Sequence, residues 1–105
     1  MAQEMRLSKS EINRIKTAAR DVWGDKAIVF LYGSRTDDLN KGGDIDLFIK
    51  LSNEPDPKEI MLQKSEFLAK LDFLLGEQKI DVMVETRYNR QLPIIKSAQA
   101  NGIKL

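Results

Sequence analysis

Three aspartates and a Gly-Ser pair carry the chemistry that can be read from this chain. An apolar run, Ala27 to Tyr32, stops at Gly33-Ser34. Eight residues then lead to Gly43-Asp44-Ile45-Asp46-Leu47-Phe48-Ile49-Lys50-Leu51, which after its glycine carries two carboxylates one residue apart and turns apolar. A buried strand seldom begins with paired acids, because desolvating two like charges is costly unless a cation compensates. On an extended strand Asp44 and Asp46 share one face, with Cα atoms roughly 6.5–7 Å apart. Carboxylates so placed can converge on one or two metal ions, and two-metal sites hold their ions ~3.5–4 Å apart. Asp81 begins another apolar run, Ile80 to Val84, and looks toward the same side if the two strands are neighbours. Gly33 permits a tight turn and close backbone approach, and the Ser34 hydroxyl and N–H are placed to meet a phosphate.

The elements that must position these residues follow in chain order. Ser8 with Glu11 three residues on forms a capping-box pattern, and Ile12, Ile15, Ala18, Ala19 and Val22 share a helical face that ends at Gly24. Arg14, Lys16 and Arg20 form its solvated basic face. Lys26–Tyr32 and Asp44–Leu51 read as strands. Thr36 to Gly43 is too polar for a core and reads as a short helix or turn with a Gly-Gly hinge. Pro57 suits the first turn of a long helix whose stripe, Ile60 to Leu75, ends at Gly76. Lys79–Glu85 is a third strand, and Gln91–Ala100 a short terminal helix ended by Gly102. The expected architecture is one α/β (α+β) domain over residues 1–105. It has a central mixed β-sheet of three or more strands with helices packed mainly on one face.

Composition narrows the chemistry. The chain has 105 residues, no cysteine and no histidine. That removes disulfides, thiolate or imidazole metal sites and a His general base. A metal must be held by oxygen, which points to Mg2+, with Mn2+ as the alternative. Seventeen basic residues against sixteen acidic ones leave no strongly basic face, so direct nucleic-acid binding is not expected. No run approaches the ~20 apolar residues that cross a membrane, and Met1–Arg6 lacks a signal-peptide core, so the expected location is cytoplasmic. Gly33 to Asp46 is not a Walker A loop, because no Gly-Lys-Ser/Thr follows, and Ile49 stands where an EF-hand loop needs Glu. An isolated Asp-x-Asp is weak; glycosyltransferases also use it.

Taken together, Leu31-Tyr32-Gly33-Ser34-Arg35, Gly42-Gly43-Asp44-Ile45-Asp46-Leu47 and the third acid resemble the signature of nucleotidyltransferases of the DNA polymerase beta superfamily. Their smallest members, the minimal nucleotidyltransferase (MNT) proteins, match best, over roughly residues 10–100. The resemblance implies a nucleotidyltransferase palm. It implies that Gly33 and Ser34 hold the β- and γ-phosphates of a nucleoside triphosphate, with ATP as the default substrate. Asp44 and Asp46 would bind two Mg2+ ions, and Asp81 would share a metal and accept the proton of the attacking hydroxyl. Arg35 would either neutralise phosphate charge or pair with Asp37 or Asp38.

Similar minimal proteins pair with a small helical HEPN protein as the antitoxin of a toxin–antitoxin module, and some transfer AMP onto a tyrosine of that partner. The resemblance implies such a partner, or an oligomer, that supplies the acceptor. The apolar residues Leu92, Ile94, Ile95 and Ile103 are candidate docking positions, or else core. Two rival functions stand beside protein adenylylation: a non-catalytic antitoxin that occludes a HEPN ribonuclease, and a small-molecule adenylyltransferase. The three acids with Gly-Ser favour the enzyme over the first. The lack of a substrate domain after the palm argues against the second.

Overall fold

A computed structural model describes residues 7–32, 45–52, 55–76 and 78–105. The elements run α1 (Lys9–Trp23), β1 (Ile28–Tyr32), β2 (Ile45–Lys50), α2 (Pro57–Leu75), β3 (Ile80–Val84), α3 (Pro93–Asn101) and β4 (Ile103–Lys104). The stretch from Thr36 to Gly43, expected to be a turn and hinge, lies outside the described residues.

Local chemistry sets the helix ends. The Ser8 hydroxyl accepts from the Glu11 N–H at 3.1 Å, and the Glu11 carboxylate accepts from the Ser8 N–H at 2.9 Å. Both halves of the expected capping box therefore form, and two of the first-turn donors are satisfied. Leu7 and Ile12 join the core from the flanking positions where a hydrophobic staple sits. Gly24 closes α1 at a φ of 94°, a backbone region that residues with a Cβ rarely enter. In α2 the Asp56 carboxylate caps the Glu59 N–H at 2.9 Å and Pro57 begins the helix.

The sheet order is β3-β2-β1-β4. β1 pairs antiparallel with both β2 and β4, and β2 pairs parallel with β3 across the α2 crossover. The sheet is thus mixed, as expected. Its fourth strand extends the expected minimum of three. Ile103–Lys104 was expected only to close the chain; it instead pairs with Leu31 and Phe30.

Alternation divides the sheet into two faces. Val29, Leu31, Ile45, Leu47, Ile49, Val82 and Val84 face α1 and α2, where Ile15, Ala18, Ala19, Ile60, Phe67 and Leu71 complete the larger core. Trp23 locks this layer: its ring centre lies 5.0 Å from that of Phe67, and its indole N–H donates to Gln63 Oε1 at 2.9 Å. The opposite face is covered by α3. There Phe48, Ile95 and Ala98 are buried, with Phe30, Tyr32 and Met83 packed around them. Two of the three helices therefore share one face. Of the candidate docking residues, Ile95 is core, while Leu92 and Ile94 are exposed.

The path from α3 into β4 is tight. A Cβ added at Gly102 would lie 2.5 Å from the Ala98 carbonyl oxygen and 3.1 Å from Phe30 Cβ. Relieving this overlap requires the α3 C-cap, where the Gly102 N–H donates to the same Ala98 carbonyl, to open, and overpacking of this kind costs about 1–3 kcal/mol. Gly102→Ala is expected to lower the unfolding free energy by that margin in a urea melt followed by the fluorescence of Trp23, the only tryptophan. An unchanged midpoint would show that the α3–β4 junction is slack.

Candidate active site

Three strand ends bring Tyr32, Asp46 and Asp81 into one row. β1 ends at Tyr32, which is the register partner of Asp46; Asp46 in turn is the register partner of Asp81 on β3. All three occupy the face opposite the larger core, since Leu31, Leu47 and Val82 beside them point into it. Neighbouring strands run about 4.8 Å apart, so the two carboxylates lie within the span of a single cation. Asp46 is half-buried and Asp81 exposed. The row is therefore open to solvent at the β3 edge and walled by aromatic packing toward β1. Of the expected site residues, Asp46 and Asp81 stand side by side. Gly33, Ser34, Arg35 and Asp44 lie outside the described residues.

The reason the acids sit at the strand end is energetic. Two residues further along the same face, Phe48 is fully buried beneath α3. A carboxylate there would lose its hydration without a partner. At Asp46 and Asp81 the covering thins, and the charges keep contact with water or with a ligand.

Tyr32 was not singled out by its spacing. Its signal was positional: it closes β1 on the same face as Phe30, immediately before Gly33-Ser34. Burial pushes its phenol above the ordinary value of 10.0, and the negative charges of Asp46 and then Asp81 push it further in the same direction. The folded protein therefore keeps this proton at a pH where the unfolded chain loses it. The stability this provides is present below about pH 10 and declines as pH rises from there through the folded-state value. Tyr88→Phe leaves Tyr32 as the only tyrosine. In that background the phenolate absorbance is expected to appear above the ordinary range, and Asp46→Asn to bring it back down. A titration unmoved by Asp46→Asn would separate the phenol from the carboxylate row.

The donor set suits a hard divalent cation: two carboxylates abreast, in a chain with no histidine and no cysteine. Among the described residues no group of three or more acidic, histidine or cysteine side chains assembles. Within them, the pair Asp46 and Asp81 is what a cation would meet. Among the described residues, too, no helix is long and apolar enough to cross a membrane.

A search of curated proteins finds no match. A family model described as a nucleotidyltransferase domain matches residues 12–105, from within α1 to the last residue of the sequence. The match takes in every described strand and both carboxylates of the row. The chain therefore belongs to the nucleotidyltransferase domain family of the DNA polymerase beta superfamily.

Proposed function

We propose that this protein is a Mg2+-dependent nucleotidyltransferase that moves AMP from ATP to a hydroxyl, with a tyrosine of a small helical HEPN partner as the acceptor. The observation that carries the reading is the register pairing of Asp46 with Asp81 within a nucleotidyltransferase domain. Such domains generally act on a nucleoside triphosphate with a divalent metal. In this reading the protein is the antitoxin of an MNT–HEPN pair and works in the cytoplasm.

Asp46 and Asp81, with Asp44, would hold the metal. Bound there, it would offset the charge that builds on the phosphate oxygens and favour ionisation of the acceptor. The chain's own residues do the rest. The backbone and hydroxyl at Gly33-Ser34 bind the β- and γ-phosphates, and Arg35 balances their charge. The acceptor oxygen forms its bond to the α-phosphorus as the bond to the bridging oxygen breaks. Pyrophosphate leaves, and Asp81 takes the proton, the role that the resemblance gives it.

The test is incubation with ATP radiolabelled at the α-phosphate, with Mg2+, with and without a small helical HEPN protein as the proposed partner. Label is expected on a tyrosine of that protein and to be absent with Asp46→Asn. Tight association without label or ATP binding would replace the enzyme with an occluding antitoxin. Label on a small molecule alone would remove the protein acceptor.

A further inference from the structure

β3 is an outer strand of the sheet and pairs on one side, with β2. The Lys79 carbonyl accepts from the Ile45 N–H, and the Glu85 N–H donates to the Ile49 carbonyl. Alternate residues from Lys79 to Glu85, Asp81 among them, therefore turn their backbone groups to β2. Ile80, Val82 and Val84 turn theirs outward. The Asn89 amide satisfies the Val84 carbonyl. The Ile80 and Val82 groups and the Val84 N–H meet no partner among the described residues. Beside this edge lies a groove of about 500 Å³, lined by Pro57, Ile60, Lys64, Val82, Val84 and the exposed Tyr88. Lys64 is the charged side chain of its lining and makes no ion pair among the described residues.

We infer that an extended segment of the acceptor protein adds to this edge as a further strand and carries the acceptor hydroxyl abreast of Asp81. Open donors and acceptors at strand spacing select extended polypeptide, because its own backbone offers the matching groups at the same repeat. Alternation then assigns the side chains of the segment. The residue abreast of Asp81 stands on the face of Asp46 and Asp81, one strand spacing of about 4.8 Å away. That is the side on which the row is open, since aromatic packing walls it toward β1. The two neighbours of this residue point to the opposite face, into the groove. There Ile60 and Tyr88 suit apolar side chains and Lys64 suits a carboxylate. A second copy of β3 meets these demands poorly. It would bring Val82 and Val84, already packed in its own core, and a second Lys64 in place of an acid. The acceptor role rests on the proposed nucleotidyl transfer, whereas the docking of the strand needs neither ATP nor metal.

The probe is the end-blocked peptide Thr-Glu-Thr-Val-Tyr-Val-Thr-Glu-Thr, whose symmetry serves either strand direction. Without ATP or Mg2+, saturating peptide is expected to slow exchange of the Ile80 and Val82 amide hydrogens about tenfold. The Asp81 and Met83 amides, already turned to β2, should not change. Ile80→Pro removes one outward N–H at the first residue of an edge strand, where proline is tolerated. It should weaken binding about tenfold with the Trp23 fluorescence unchanged. Lys64→Glu should weaken binding about fivefold, and lysine in place of the glutamates of the peptide should restore it. With ATP radiolabelled at the α-phosphate and Mg2+, label on the tyrosine should fall in step with binding in both variants. No protection, protection spread equally over Asp81 and Met83, or binding indifferent to both variants would overturn the inference. Protection that appears on concentrating the protein alone would give the edge to a second copy and overturn it too. Protection without label would support the strand site and count against the proposed transfer.

Discussion

Asp46→Asn is expected to abolish nucleotidyl transfer while leaving the fold and its stability essentially intact. The substitution keeps size and hydrogen-bonding capacity but removes the charge that a divalent cation needs. Charge stabilisation by a metal at a phosphoryl centre amounts to several kcal/mol, and about 4 kcal/mol corresponds to roughly a thousandfold in rate. Asp46 is half-buried and lies outside the larger core. The flanking Ile45 and Leu47 are buried on the opposite face, and Asp46 lies where the α3 covering ends. The check is transfer rate beside a urea melt. A thousandfold loss with an unchanged midpoint is the expected pattern. A large fall in the midpoint would make Asp46 a structural residue instead.

Phe48→Ala is the reverse case, and carries the largest expected effect on stability. Phe48 lies two residues along the same strand on the same face, fully buried. It fills the layer between the sheet and α3, against Ile95 and Ala98, with Phe30 at a ring separation of 5.8 Å. Removing a buried aromatic ring costs about 3–5 kcal/mol, the transfer term plus the cavity left behind. A domain of this size has about 5–15 kcal/mol in total, so the variant should lose about a fifth of its stability or more. A urea melt followed by far-ultraviolet dichroism measures it. A cost below about 1 kcal/mol would mean that α3 is held by β4 and not by Phe48.

The contrast between these neighbours explains what the sequence made legible. The alternation Ile45-Asp46-Leu47 announced two faces, and the placement of Asp81 on a similar strand start suggested its side of the sheet. Register pairing with Asp46 follows from the parallel β2–β3 ladder. Helix limits were equally readable, because Ser8, Glu11, Gly24, Pro57 and Gly76 act through their nearest neighbours. Less was visible where the cause is distant. Ile103–Lys104 is too short to show an alternation, and its strand exists because β1 offers an open edge. Tyr32 looked like the last apolar residue of a strand. Its place in the row depends on pairing with a strand that begins thirteen residues later. The turn after β3 is held by Asn89, whose side-chain amide donates to the Val84 carbonyl at 2.9 Å, a bond that no periodicity encodes. Both ends of the Asp44-x-Asp46 pattern were read together, but Asp44 lies outside the described residues, which resume at Ile45. The phosphate-binding roles of Gly33 and Ser34 rest on the resemblance.

The most direct measurement is calorimetric titration of a non-hydrolysable ATP analogue into the wild-type protein and into the Asp46→Asn/Asp81→Asn double variant, each with and without Mg2+. The account predicts binding by the wild type that requires Mg2+ and is lost in the double variant, whose Trp23 fluorescence still reports a folded chain. Equal binding by both proteins, or wild-type binding indifferent to Mg2+, would contradict a metal–nucleotide site at the Asp46–Asp81 row.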